Sequence, residues 1–146
     1  MKRLRQWWRL PAREQQLLVR AAVLLALLKV ALRFLPFAKV QRLVALTRVA
    51  ARARPRRRGE IERIVWAVST AGYHVPRSTC LTTALAAQVL LERHGIPACL
   101  RIGVTRPESG PFLAHAWVES AGQIVIGKVE NPADYAALRP LALGLG

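Results

Sequence analysis

The sequence predicts an α+β domain: helices first, then one helix that carries a cysteine at its start, then a small antiparallel sheet. Three observations carry that prediction. The first fifty residues are dense in Leu and Ala and lack a strand pattern. Ser78-Thr79-Cys80 precedes a run of good helix formers, Leu81 to His94, which Gly95 should stop. From Ala98 to Ile126 the apolar segments are short, and Ala121-Gly122 separates two of them as a hairpin turn. With 146 residues the chain is one domain's worth of material plus an appendage.

Taken in order, Pro11 and Glu14 suit the first turn of a helix, and Pro36 should end it. Lys39 to Arg52 continues as a second helix. On a helical wheel Arg20 and Lys29 fall on opposite sides, so the middle from Ala21 to Leu28 has no polar face. Burial all round is expected there, as a helix packed under the core; the alternative is a docking surface for a partner or membrane. Arg52-Ala-Arg-Pro-Arg-Arg-Arg-Gly59 reads as an exposed linker and divides a basic helical region, 1–58, from a core, 59–146. Glu60 to Ala71 is a short amphipathic helix, with Gly72 as its expected stop. The strands should be Ala98 to Val104, Leu113 to Ser120 and Gln123 to Ile126.

Charge is distributed unevenly. Residues 1–60 hold sixteen Lys/Arg against Glu14 and Glu60, a net of +14, whereas residues 61–146 hold seven against six acids, a net of +1. The four tryptophans do not interleave with the arginine run, so there is no stacking platform for nucleic acid. The longest uncharged apolar piece, Ala21 to Leu28, falls far short of the roughly 20 residues a membrane span needs. Lys29 interrupts any signal-peptide core, and no small-x-small cleavage site follows. Two cysteines and three histidines without zinc-type spacing support neither a disulfide framework nor a structural metal, and no cofactor is implied. Reduced thiols and a cytoplasmic compartment are expected.

Chemistry concentrates at Cys80 and His115. A thiol in the first turn of a helix faces unpaired amides and the positive end of the helix dipole, which stabilise the thiolate. The same amides can donate to an oxyanion. A thiolate nucleophile needs an imidazole to protonate the leaving group, and His115 lies mid-strand in Ala-His-Ala-Trp-Val-Glu. The bland alternative is a buried Cys and a satisfied core His. Thr79 is a candidate for the oxyanion region, and His74, six residues before Cys80, for a further donor there. Trp117 shares the strand face of His115, as a wall of the site or as core. Cys99 reads as core, and His94 as a cation at a helix C-terminus.

From Cys80 onward the pattern Cys-Leu-x-x-Ala-Leu, Leu-Leu-x-x-x-Gly-Ile-x-Ala-x-Leu-x-Ile-Gly-Val and Ala-His-Ala-Trp-Val-Glu-x-x-Gly closely resembles the transglutaminase-like leader peptidases of lasso-peptide biosynthesis. The match covers about residues 74–128. The resemblance implies a papain- or transglutaminase-like core and a Cys–His–Asp protease without a cofactor, which removes the leader from a ribosomally made precursor. It also implies as partners the leader, a separate small leader-binding protein and the ATP-dependent lasso cyclase. One position departs from the pattern: the Asp often found about twelve residues after the His is Gly127 here. Asp134 and Glu130 are the candidates to replace it, with Asn131 beside them. Glu119, on the strand of His115, is roughly 13 Å along it and a poor candidate. The rival readings are a true transglutaminase, with an amine in place of water, and a non-enzymatic basic module that binds nucleic acid or membrane through residues 1–58.

Overall fold

The computed structural model describes residues 7–49, 59–106, 108, 110–128 and 132–138. Four helices precede the sheet: α1 (Ala12–Phe34), α2 (Phe37–Val49), α3 (Glu60–His74) and α4 (Cys80–Arg93). Strands β1 (Cys99–Thr105), β2 (Leu113–Ser120) and β3 (Gln123–Ile126) follow, then a 3-10 turn at Pro132–Asp134 and β4 (Ala136–Leu138). The predicted α+β class holds, and both strands of the hairpin lie where alternation placed them.

Local chemistry sets the element ends. Pro11 precedes α1, and Gln15 reaches back to accept the role of a staple, its Nε2 donating to the carbonyls of Trp7 and Leu10. Pro36 separates α1 from α2, whose expected end at Arg52 lies outside the described residues. Gly72 does not stop α3, which runs on to His74. Gly72 faces α4, where a Cβ would meet Thr83 Oγ1 at 3.5 Å, an ordinary van der Waals contact. His94 closes α4, its Nδ1 hydrogen-bonded to the Leu90 carbonyl at 2.7 Å, ahead of Gly95.

The sheet is antiparallel throughout, in the order β3-β2-β1-β4. β1 and β2 pair from Cys99 opposite Glu119 to Thr105 opposite Leu113. Since side chains alternate across a strand, Leu100 on β1, Ala116 and Val118 on β2 and Ile126 on β3 form one face and join the apolar core. Cys99 therefore faces the other way and is exposed, contrary to the expectation that it would be core. Its neighbour Leu100 is the buried one of the pair.

α4 lies between this face and the other helices. Thr82 and every residue from Ala84 to Leu91 are buried, packed against β1 and β2 on one side and against α1, α2 and α3 on the other. α1 contributes Ala21, Leu25 and Leu28 to the same core. Part of its apolar surface lies away from that core: Val19, Val23, Leu27, Val30 and Phe34 form an exposed stripe on the opposite side, Leu27 being 62% and Phe34 80% exposed. The expectation of burial all round thus fails, because the core covers only one side of the helix. Lys29 Nζ donates to the Pro76 carbonyl at 2.6 Å, tying α1 to the loop that enters α4. Among the described residues no helix is long and apolar enough to cross a membrane.

Leu85 is fully buried at the centre of α4. Leu85→Ala should lower unfolding stability by about 2–5 kcal/mol, read from denaturant melts of the two proteins.

Candidate active site

Cys80 is the first residue of α4, and it is exposed. Thr79 is extended (φ −93°, ψ 162°) and caps the helix, its Oγ1 accepting from the Thr82 amide at 3.2 Å. Its carbonyl accepts from both the amide and the hydroxyl of Thr83, each at 3.0 Å. Ser78 Oγ lies 3.1 Å from Thr83 Oγ1. With the third amide taken by the cap, those of Cys80 and Leu81 remain without a helical partner. They are the natural donors to an oxyanion formed beside the Cys80 thiol. Ahead of them Arg77 holds a left-handed conformation (φ 56°), uncommon outside glycine, and turns the chain from α3 into the cap.

His115 stands on β2 opposite Gly103 of β1, half-buried. Its Nε2 donates to the Gly127 carbonyl at 3.1 Å. The ring is nearly parallel to that of Trp117, with centroids 6.4 Å apart, and lies 6.3 Å from that of Tyr135 at a tilt. Trp117 and Tyr135 meet edge to face at 6.1 Å, within the range of favourable aromatic pairs. Trp117 Nε1 donates to Glu119 Oε1 at 3.0 Å, and the other carboxylate oxygen accepts from Arg101 Nε at 3.3 Å. Glu119 thus serves the site indirectly, by fixing the indole beside the imidazole. Trp117 is buried, yet it stands outside the apolar core on the opposite face of the sheet. It is both wall and packing.

Gly103 makes this cluster possible. A Cβ at that position would stand 2.7 Å from Tyr135 Cβ and 2.9 Å from the Trp117 ring. Sequence reasoning missed Gly103 and Tyr135; a glycine inside a strand was the available signal for close approach.

The other candidates are placed as follows. Among the described residues no hydrogen bond joins Cys80 to His115: α4, which Cys80 opens, packs against the sheet face of Ala116 and Val118, whereas His115 alternates onto the face of Trp117. His74 ends α3 with its side chain exposed, its ring edge-on to Tyr73. Asp134 is exposed and makes no hydrogen bond to His115. Glu130, Asn131 and the arginine run from Arg52 to Arg58 lie outside the described residues. Among the described residues no group of His, Cys, Asp and Glu is arranged to hold a metal ion.

Comparison with known families matches a stretch that contains both Cys80 and His115. The chain belongs to the transglutaminase-like superfamily, whose model matches residues 24–140. Catalysis in that superfamily is generally cysteine-based, which supports a cysteine protease or acyltransferase chemistry as the class. No curated protein and no solved structure gives a match.

Gly103→Ala should displace Trp117 and Tyr135 at a cost of about 1–3 kcal/mol. The expected readout is a weakened near-ultraviolet circular dichroism signal together with a lower melting temperature.

Proposed function

We propose that this protein is a lasso-peptide leader peptidase, a cysteine protease that cleaves the leader from a ribosomally made precursor through a thioester. The observation that carries the reading is the exposed Cys80 thiol at the Thr79-capped start of α4. It is supported by the Ala-His-Ala-Trp-Val-Glu strand and by the superfamily match. The Cys80 thiolate attacks the scissile carbonyl, forming a C–S bond while the carbonyl oxygen becomes an oxyanion held by the Cys80 and Leu81 amides. As that intermediate collapses the C–N bond breaks, and protonated His115 gives its proton to the leaving amine. A water molecule then adds to the thioester, neutral His115 taking its proton. The C–S bond breaks, releasing the new carboxyl group and restoring the thiolate–imidazolium pair.

Cys80→Ala should abolish cleavage of a precursor peptide, followed by mass spectrometry, while the melting temperature stays near that of the parent because the side chain is exposed. Cys99→Ala, also an exposed thiol, should keep both activity and stability. Cys80→Ala activity within about tenfold of the parent, only about 1.4 kcal/mol of barrier, would remove Cys80 as nucleophile. Product mass with added primary amine distinguishes hydrolysis from transglutamination.

The separate leader-binding protein is the partner this reading requires, and the exposed α1 stripe is its proposed seat. Val19 to Phe34 spans about 22 Å of helix, with exposed Arg20 and Arg33 at its two edges. Residues 1–60 carry +14, against +1 for the remainder, so the complementary face is acidic around an apolar centre. Val23→Asn with Leu27→Asn should cut partner-stimulated cleavage at least about tenfold without lowering the melting temperature. Full activity of the isolated chain would remove the docking role. Steeply salt-dependent DNA binding that survives loss of Cys80 would favour a non-enzymatic basic module instead.

A further inference from the structure

We infer that the backbone carbonyl of Gly127 is the positioning group for His115, doing without a carboxylate side chain the task of holding the imidazole in one tautomer. The inference rests on the reading of His115 as the base.

A carbonyl oxygen can only accept, so the Nε2 atom 3.1 Å from Gly127 O carries the ring proton. Nδ1 is then left with its lone pair, the state a general base requires. The rings of Trp117 and Tyr135 flank the imidazole, with centroids 6.4 and 6.3 Å away. Together they supply orientation and tautomer, the two services a third group gives a catalytic histidine.

Gly127 is suited to this by its backbone. It lies at φ 76°, in the left-handed region. A Cβ there would stand 2.7 Å from the Ala116 carbonyl oxygen and 3.0 Å from Trp117 Cα, both backbone atoms that cannot step aside. No residue with a side chain, aspartate included, fits position 127 in this conformation. The chain has therefore exchanged a side-chain acceptor for a main-chain one at the position where the sequence resemblance expects Asp. Asp134, the nearest described carboxylate in the chain, is exposed on the 3-10 turn.

The test is an imidazole ¹⁵N spectrum of the full-length protein at neutral pH. Expected in Cys80→Ala, where no thiolate holds a second proton on the ring, are a pyrrole-type Nε2, a pyridine-type Nδ1 and an Hε2 proton that exchanges slowly with solvent; the parent should keep the slow Hε2. Gly127→Ala should lose the slow Hε2 and lower kcat at least about tenfold with little change in KM. A pyridine-type Nε2 or a rapidly exchanging Hε2 in Cys80→Ala overturns the proposal from that spectrum alone, even if Gly127→Ala fails to fold. A loss of kcat beyond about a hundredfold in Asp134→Asn also overturns it, since a carboxylate would then be the orienting group. Failure of the protease reading would appear instead as retained cleavage by Cys80→Ala, with the ring spectrum unaffected.

Discussion

Nearly everything in this fold follows from burying one helix on all sides. α4 is covered from Thr82 to Leu91 apart from Thr83, and a helix so enclosed can meet solvent only at its ends. Small residues make the enclosure tight: Ala84, Ala86 and Ala87 on α4 and Ala116 on β2 let backbones approach. The even burial also fixes what the exposed end must be. Amides without helical partners have to be capped or left to water, and Thr79 caps only part of them. The Cys80 thiol in that first turn is thus carried by a deeply enclosed helix while itself remaining exposed.

The sheet divides its labour by face. One face is apolar and seals α4; the other carries His115, Trp117, Glu119 and Tyr135 over a glycine. The polar groups of that second face are linked into a chain from Arg101 through Glu119 to the indole, and from the imidazole to the main chain. A buried indole N–H without an acceptor would be costly, so Glu119 contributes to stability as well as to the order of the aromatic cluster.

Much of this was legible because local chemistry decided it. Thr79 and Gly95 bracket α4, Pro36 splits the first two helices, and Ala121-Gly122 sets the hairpin. What was not legible depended on tertiary choices. Alternation said that either Cys99 or Leu100 would face the core, but only the position of α4 selected Leu100. β4 consists of Ala-Ala-Leu, with little strand preference, and exists because β1 offers a free edge. Gly72 reads as a stop until α4 is seen beside it. Cys80 and His115 stood out by residue type and setting. The acceptor at Gly127 is a main-chain atom, which every residue possesses, and so no pattern of side chains could announce it.

The bond from Lys29 to the Pro76 carbonyl joins two parts of the chain that sequence separates by 47 residues. It is short and charge-assisted, and it grips the loop four residues ahead of Cys80. Lys29 lies on α1, between the turns that carry the exposed stripe. The cysteine loop is therefore anchored to α1 at this one point. A load that stills the outer surface of α1 is felt at the mouth of α4, much as a hand on a lever steadies its far end. The end of α4 that carries Cys80 is thus braced by a neighbouring helix as well as by its own cap.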